Sequence, residues 1–119
     1  MTVYVVQMPV RRDPATGQMV PSVDLTPAQE YGEVATLLAS GPVALLPAQM
    51  LATLRHGLRN FTDDDYLLPT GDPTAIAAAA IVASQANMGR VRILKWDGRT
   101  RRYMAVPLFV DRRFQDELE

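Results

Sequence analysis

The stretch from Asp65 to Val106 constrains the fold of this chain more than any other. It reads Asp-Tyr-Leu-Leu-Pro-Thr-Gly-Asp-Pro, then an alanine-rich segment from Thr74 to Asn87, then Arg-Val-Arg-Ile-Leu-Lys-Trp-Asp and a second apolar strand. Tyr66-Leu-Leu-Pro is short and wholly apolar, as suits a strand covered on both faces. Asp72 can cap the free N–H groups of a following helix, and Pro73 fits its first position. Ala77 through Ala80 add little bulk, so that helix can lie close to a sheet. Asn87-Met-Gly ends it, with Gly89 suited to the left-handed residue past a helix. Arg90–Trp96 and Arg102–Val110 then flank Asp-Gly-Arg-Thr. A four-residue loop there predicts Ile93 opposite Met104 and Val91 opposite Val106, on one apolar face.

The rest of the chain adds strands and one helix. Thr2 to Met8 is β-branched and aromatic, a first strand. Arg11 to Pro21 contains Asp-Pro and Thr-Gly and reads as an exposed turn. Thr26, Pro27 and Gln29 match the start of a short helix, with Thr26 as cap, and Gly32 ends it within two turns. Glu33–Leu38 and Val43–Leu46 flank Ala-Ser-Gly-Pro and predict a hairpin. Pro47 opens a helix to about Asn60, with Leu51, Leu54, Leu58 and Phe61 on one stripe. Two strand–helix–strand units require right-handed crossovers and at least three parallel strands, at Val43, Tyr66 and Val91. The expectation is an α/β fold: residues 1–119 as a single domain, with a mixed sheet of about five or six strands and two main helices, in the order β-β-β-α-β-α-β-β. Residues 111–119 read as a charged tail or short helix.

At 119 residues there is room for one core. Zero cysteines exclude disulfides and thiolate metal sites. The opening Met-Thr-Val-Tyr-Val-Val-Gln lacks the layout of a signal peptide. The longest apolar run, Ala75–Ala83, falls short of the roughly 20 residues of a membrane span, so no membrane role is expected. His56 is the single histidine, without an acidic or cysteine neighbour at ligand spacing, and reads as a surface helix residue. Asp63-Asp-Asp65 lacks the alternation and glycine of a calcium loop and reads as a solvated turn. No serine sits in a nucleophile-elbow context. No metal, cofactor or catalytic residue is therefore expected, and the chain leans away from enzymes. A pair of carboxylates assembled in space would be invisible in sequence.

Two places could bind something. In open α/β sheets, ligands collect beyond the carboxyl ends of parallel strands. There Thr70, Gly71 and Thr74, beside a helix N-terminus, could hold a nucleotide or other anion. Against that, Asp72 would occupy the same positive end, and the lysine of a phosphate loop is missing. The second place is the C-terminal hairpin. Residues 90–113 hold eight of the twelve basic side chains against two acidic ones, on a chain of net charge −1. Arg90, Arg92, Trp96, Arg99, Arg101, Arg102 and Tyr103 interleave arginines with aromatics, as a surface for phosphates and stacked bases would. Alternatively, Leu94, Trp96 and Tyr103 are buried under a covering layer, and the arginines are ordinary edge charges.

Val5-Val6-Gln7, Tyr66-Leu-Leu-Pro-Thr-Gly-Asp-Pro and Gly89-Arg-Val-Arg-Ile-Leu-Lys-Trp-Asp together resemble small uncharacterised proteins of tailed bacteriophages. That resemblance spans most of the chain and brings no catalytic residues with it. It implies a phage protein acting in the host cell cytoplasm, or one built into the virion. The expected function is a non-enzymatic binding module that engages a host or phage protein, or nucleic acid, through the basic hairpin. The alternatives are an anion- or nucleotide-binding protein using the Thr-Gly-Asp-Pro turn, and a virion or self-assembling component whose exposed edges build a homo-oligomer.

Overall fold

The computed structural model describes residues 1–40 and 47–110. Among these residues seven strands, two α-helices and one 3-10 turn follow in order: β1 (Thr2–Gln7), β2 (Val10–Arg12), β3 (Met19–Pro21), the 3-10 turn (Thr26–Tyr31), β4 (Glu33–Leu38), α1 (Pro47–Leu58), β5 (Tyr66–Leu68), α2 (Pro73–Ala86), β6 (Arg90–Asp97) and β7 (Arg102–Phe109). The main sheet has the order β4-β1-β5-β6-β7, while β2 and β3 pair only with each other. Strands β4, β1, β5 and β6 are parallel, and β7 closes the sheet antiparallel to β6. The α/β mixed sheet with two main helices is as expected.

The helices and the 3-10 turn cover opposite faces. Met50, Leu54 and Leu58 of α1, with Ala75, Ala78, Ala79, Val82 and Ala83 of α2, pack on Val6, Leu67 and Val91. The small α2 residues let its backbone approach the sheet closely. On the other face, Ala28, Leu25 and Tyr31 lie over Val3, Val5, Tyr66, Leu68, Leu94 and Tyr103. β1 therefore has a connection leaving over one face and helices over the other. The strand order reverses between β1 and β5, the switch point where such sheets open a crevice.

Several local expectations are corrected. Glu33–Leu38 forms no hairpin among the described residues. It pairs in parallel with β1, Val3 against Val34, so a crossover already joins β1 to β4, and β4 is the described strand that precedes α1. The proposed strand Val43–Leu46 and the tail 111–119 lie outside the described residues. Arg11–Pro21 is a two-stranded ribbon, not only a turn, with Arg12 against Met19. Thr26 is the first residue of its turn rather than the cap; the Asp24 carboxylate instead accepts its N–H at 2.9 Å. Helix α1 ends at Leu58, with Phe61 buried just beyond it. The hairpin register is shifted by two, with Ile93 facing Val106 and Val91 facing Leu108. Asp97 causes the shift: its carboxylate accepts the Arg99 N–H at 3.0 Å and the Thr100 hydroxyl at 2.9 Å. It thereby joins the strand and leaves Gly98–Arg101 as the loop, Arg101 being left-handed at φ 56°.

The α2 ends match their sequence signals. Asp72 accepts the Ala75 N–H at 3.1 Å, and Gly89, at φ 84°, donates to the Ser84 carbonyl at 2.8 Å. No helix among the described residues is long and apolar enough to cross a membrane.

Candidate functional site

Strand lengths make the site. β5 has three residues and ends before Pro69, which has no N–H to continue a ladder. β6 has eight residues, and Leu67 is paired with Ile93 near its middle. Beyond Leu94, then, β6 overhangs its neighbour. The flank left there is one side of a groove of about 870 Å³, within the roughly 300–1,000 Å³ range of ligand sites. The groove is lined by Leu68, Pro69 and Thr70 at the end of β5, by Val23, Asp24 and Pro27 before the 3-10 turn, and by the hairpin. Side chains reach it from both faces of the sheet. Leu94, Trp96 and Tyr103 come from one face, Ile93, Val106 and Leu108 from the other.

Trp96 and Tyr103 sit opposite each other with ring centroids 5.0 Å apart at 65°, an edge-to-face pair. Tyr103 is buried whereas Trp96 is 45% exposed, so the indole stands at the mouth. The Tyr31 hydroxyl donates to the Tyr103 carbonyl at 2.6 Å and ties the hairpin to the 3-10 turn. Burial, and secondarily the charge of Asp24, push the Tyr103 phenol above its ordinary pKa. The Asp24 carboxyl is held below the usual carboxylate range by its bonds from Thr26, and Asp97 by the Arg99 N–H and the Thr100 hydroxyl. Both loops that frame the groove are thus pinned by ionised aspartates.

The hairpin residues singled out from sequence fall into three groups. Arg90 and Arg92 lie at the amino end of β6, where Arg90 forms an ion pair with Asp63 and Arg92 donates to the Asp63 carbonyl. The Arg92 guanidinium also lies 4.4 Å from the Tyr66 ring centroid. Arg102 pairs with Glu30 at 2.8 Å. Trp96, Arg101 and Tyr103 line the groove, and Arg99 stands exposed on the adjoining loop. Neither Arg99 nor Arg101 has an ion pair among the described residues, and Lys95 adds a third charge at that end.

The turn residues fare differently. Thr70 lines the same groove, so one cavity brings part of each predicted site together. Gly71, at φ 109°, is pressed against Gln7, where a Cβ would come within 2.5 Å of the Gln7 Cβ. Gln7 is buried; its Oε1 accepts the Asp72 N–H at 2.9 Å and its Nε2 donates to the Ala39 carbonyl at 3.0 Å. Of the four N–H positions a helix start leaves open, Pro73 has none, Asp72 gives its own to Gln7, and Ala75 gives its own to Asp72. Thr74 alone keeps an uncommitted amide among them. Sequence reasoning missed Gln7, Val23, Asp24, Pro27 and Leu68. The one available signal was Pro69, which truncates a strand beside a much longer one.

Among the described residues, no cluster of three or more acidic or histidine side chains could hold a metal ion. His56 is exposed on α1. The phage Pam3 gp32-like protein family matches this chain over residues 1–110. No curated protein and no solved structure matches it.

Proposed function

The chain belongs to the phage Pam3 gp32-like family, and on that premise we propose that it is a small non-enzymatic binding module. It holds a segment of a host or phage protein in the groove between β5 and the C-terminal hairpin. The observation that carries this reading is the groove itself: an apolar cleft with Trp96 nearly half exposed at its mouth and Lys95 and Arg101 on its rim. A large aromatic half in water beside an apolar cleft is the composition of an interface core. A nucleic-acid partner is less well supported, because Arg90, Arg92 and Arg102 already face Asp63 or Glu30. The partner is met in the infected cytoplasm or during virion assembly.

The test is a pair of baits, the wild type and Trp96→Glu, exposed to lysate of infected cells. Trp96 is half exposed, so the variant should keep the wild-type circular dichroism spectrum. One defined protein retained by the wild type and lost by the variant is the expected result. A gel shift with a single-stranded oligonucleotide that weakens steeply with salt, and no protein lost on substitution, would transfer the groove to nucleic acid.

A further inference from the structure

We infer that the groove takes its protein ligand as an added β-strand, laid against the overhanging flank of β6, and that this ligand is an extended apolar segment with an acidic end. The inference rests on the groove being a protein-binding site, and it specifies the manner of binding. The hydrogen-bond parity of the hairpin is its foundation. Val110 donates its N–H to the Gly89 carbonyl at 2.7 Å, which makes Gly89 and Val110 a hydrogen-bonded pair. Such pairs alternate along an antiparallel ladder. In the observed register Val91, Ile93 and Lys95 therefore turn their main-chain groups toward β7. Arg92, Leu94 and Trp96 turn theirs the other way, toward β5.

On that side β5 can use only part of what is offered. Leu67 sits beside Ile93 and takes the Arg92 carbonyl and the Leu94 N–H, as a parallel bridge requires. The next donor in line would come from residue 69, and Pro69 has no N–H. The chain then swings toward β1, where Gln7 donates its N–H to the Thr70 carbonyl at 3.1 Å. The Leu94 carbonyl and both main-chain groups of Trp96 are left directed into the groove. Three groups in strand alternation, on the wall of an apolar cleft, form a short template for strand addition.

The outer edge of the sheet does not offer the same template. On β7 the outward residues are Tyr103, Ala105, Pro107 and Phe109. The Tyr103 carbonyl already accepts from Tyr31, and Pro107 has no N–H in the middle of the run. Side chains above and below the β6 flank are apolar on both faces, Leu68, Leu94 and Tyr103 on one and Ile93 and Val106 on the other. A strand in the groove therefore meets apolar surroundings at successive residues, as β5 itself does. At the loop end the three cations Lys95, Arg99 and Arg101 outnumber the one carboxylate of the groove wall, Asp24, while Asp97 is committed to the loop, so the ligand end that lies there is acidic.

The experiment uses the full-length protein and a blocked hexapeptide of threonine, valine, isoleucine, valine, aspartate and glutamate. Two further copies of the peptide carry N-methyl groups on one or the other alternate set of amides, since only one set can face β6. Fluorescence of Trp96, the single tryptophan, reports occupancy, and amide exchange of Trp96 reports the strand bond. The expected result is saturable binding, with about tenfold slower exchange at the Trp96 amide. One methylated copy should lose about tenfold in affinity and the other should bind nearly as the parent. Equal loss in both copies, or in neither, overturns strand addition. A fluorescence response without amide protection does the same, yet leaves the groove as a protein site. No response to any peptide overturns the inference, while the Trp96→Glu baits decide the broader reading separately. A dimer that dissociates on Trp96→Glu would also overturn it, by giving the groove to a second copy.

Discussion

Gln7 and Asp72 are joined across the switch point of the sheet: the Gln7 Oε1 accepts the Asp72 backbone N–H at 2.9 Å. The same side chain donates to Ala39 beyond β4, so one buried amide ties the carboxyl ends of β1 and β4 to the start of α2. It occupies the crevice where related sheet orders place ligands. Gln7→Leu keeps the volume but takes that partner from the half-buried Asp72 N–H, at a cost of about 1–3 kcal/mol, and from the carbonyl of the exposed Ala39, which water can still reach. A loss of about 1–3 kcal/mol is expected in urea unfolding, with an unchanged m-value. Gln7→Glu keeps the bond to Asp72 but sets an oxygen against the Ala39 carbonyl, and should fall between.

Gly71 answers to the same contact. Its φ of 109° is unfavourable for any other residue, and an added Cβ would meet the Gln7 Cβ at 2.5 Å and its carbonyl oxygen at 3.0 Å. Gly71→Ala should cost about 2–4 kcal/mol from backbone strain and overpacking. Thermal melting with no ligand present measures this. If Gly71→Ala melts with the wild type, the contact is not as tight as described. The substitution therefore cannot report on anion binding at the helix start, and Thr74→Pro, which removes the one uncommitted N–H near the start of α2, is the cleaner probe.

How much could be read from sequence followed how local the causes were. Asp72 with Pro73 and Gly89 marked the ends of α2 because capping is decided within a few residues. Tyr66–Leu68 was legible as a buried strand from its unbroken apolar run. The partner of Glu33–Leu38 was not legible, because its pairing with β1 spans about thirty residues and leaves no local trace. The hairpin register went astray by two because the Asp97 side chain moves the loop by one residue at each end. The face assignment survived, since a slip of two preserves alternation. The arginine cluster looked continuous because Asp63 lies 27 residues before Arg90, and nothing local announces that pair.

Acid and alkali should act on the groove through different groups. Asp24 and Asp97 have depressed pKa values in the folded chain. Their contribution is present above the ordinary aspartate value of 3.8 and is lost as pH falls below it through the folded values. The Tyr103 phenol is raised, so its contribution is complete below the ordinary value of 10.0 and is lost as pH climbs above that. Stability should be flat between these limits and decline outside both. Melting temperatures across the range test this, and Tyr103→Phe should flatten the alkaline limb. An alkaline limb unchanged in that variant would assign the decline to other groups.

Pro107 should be what keeps the outer edge of β7, the last strand of the sheet among the described residues, from pairing with another chain. It lies opposite Arg92, at a position whose main-chain groups face away from β6, so its missing N–H interrupts the outer edge and not the ladder. Met104 and Leu108, both about half exposed, flank it on the uncovered face. Pro107→Thr restores an outward donor, adds a residue of high β-propensity, and leaves the β6 pairing intact. The folded monomer should be no less stable, yet its tendency to associate should rise. Light scattering over a concentration series should give a higher mass for the variant than for the wild type at matched circular dichroism. If both stay at the monomer mass throughout, the proline has no protective role, and the Tyr31 bond to the Tyr103 carbonyl suffices to close that edge.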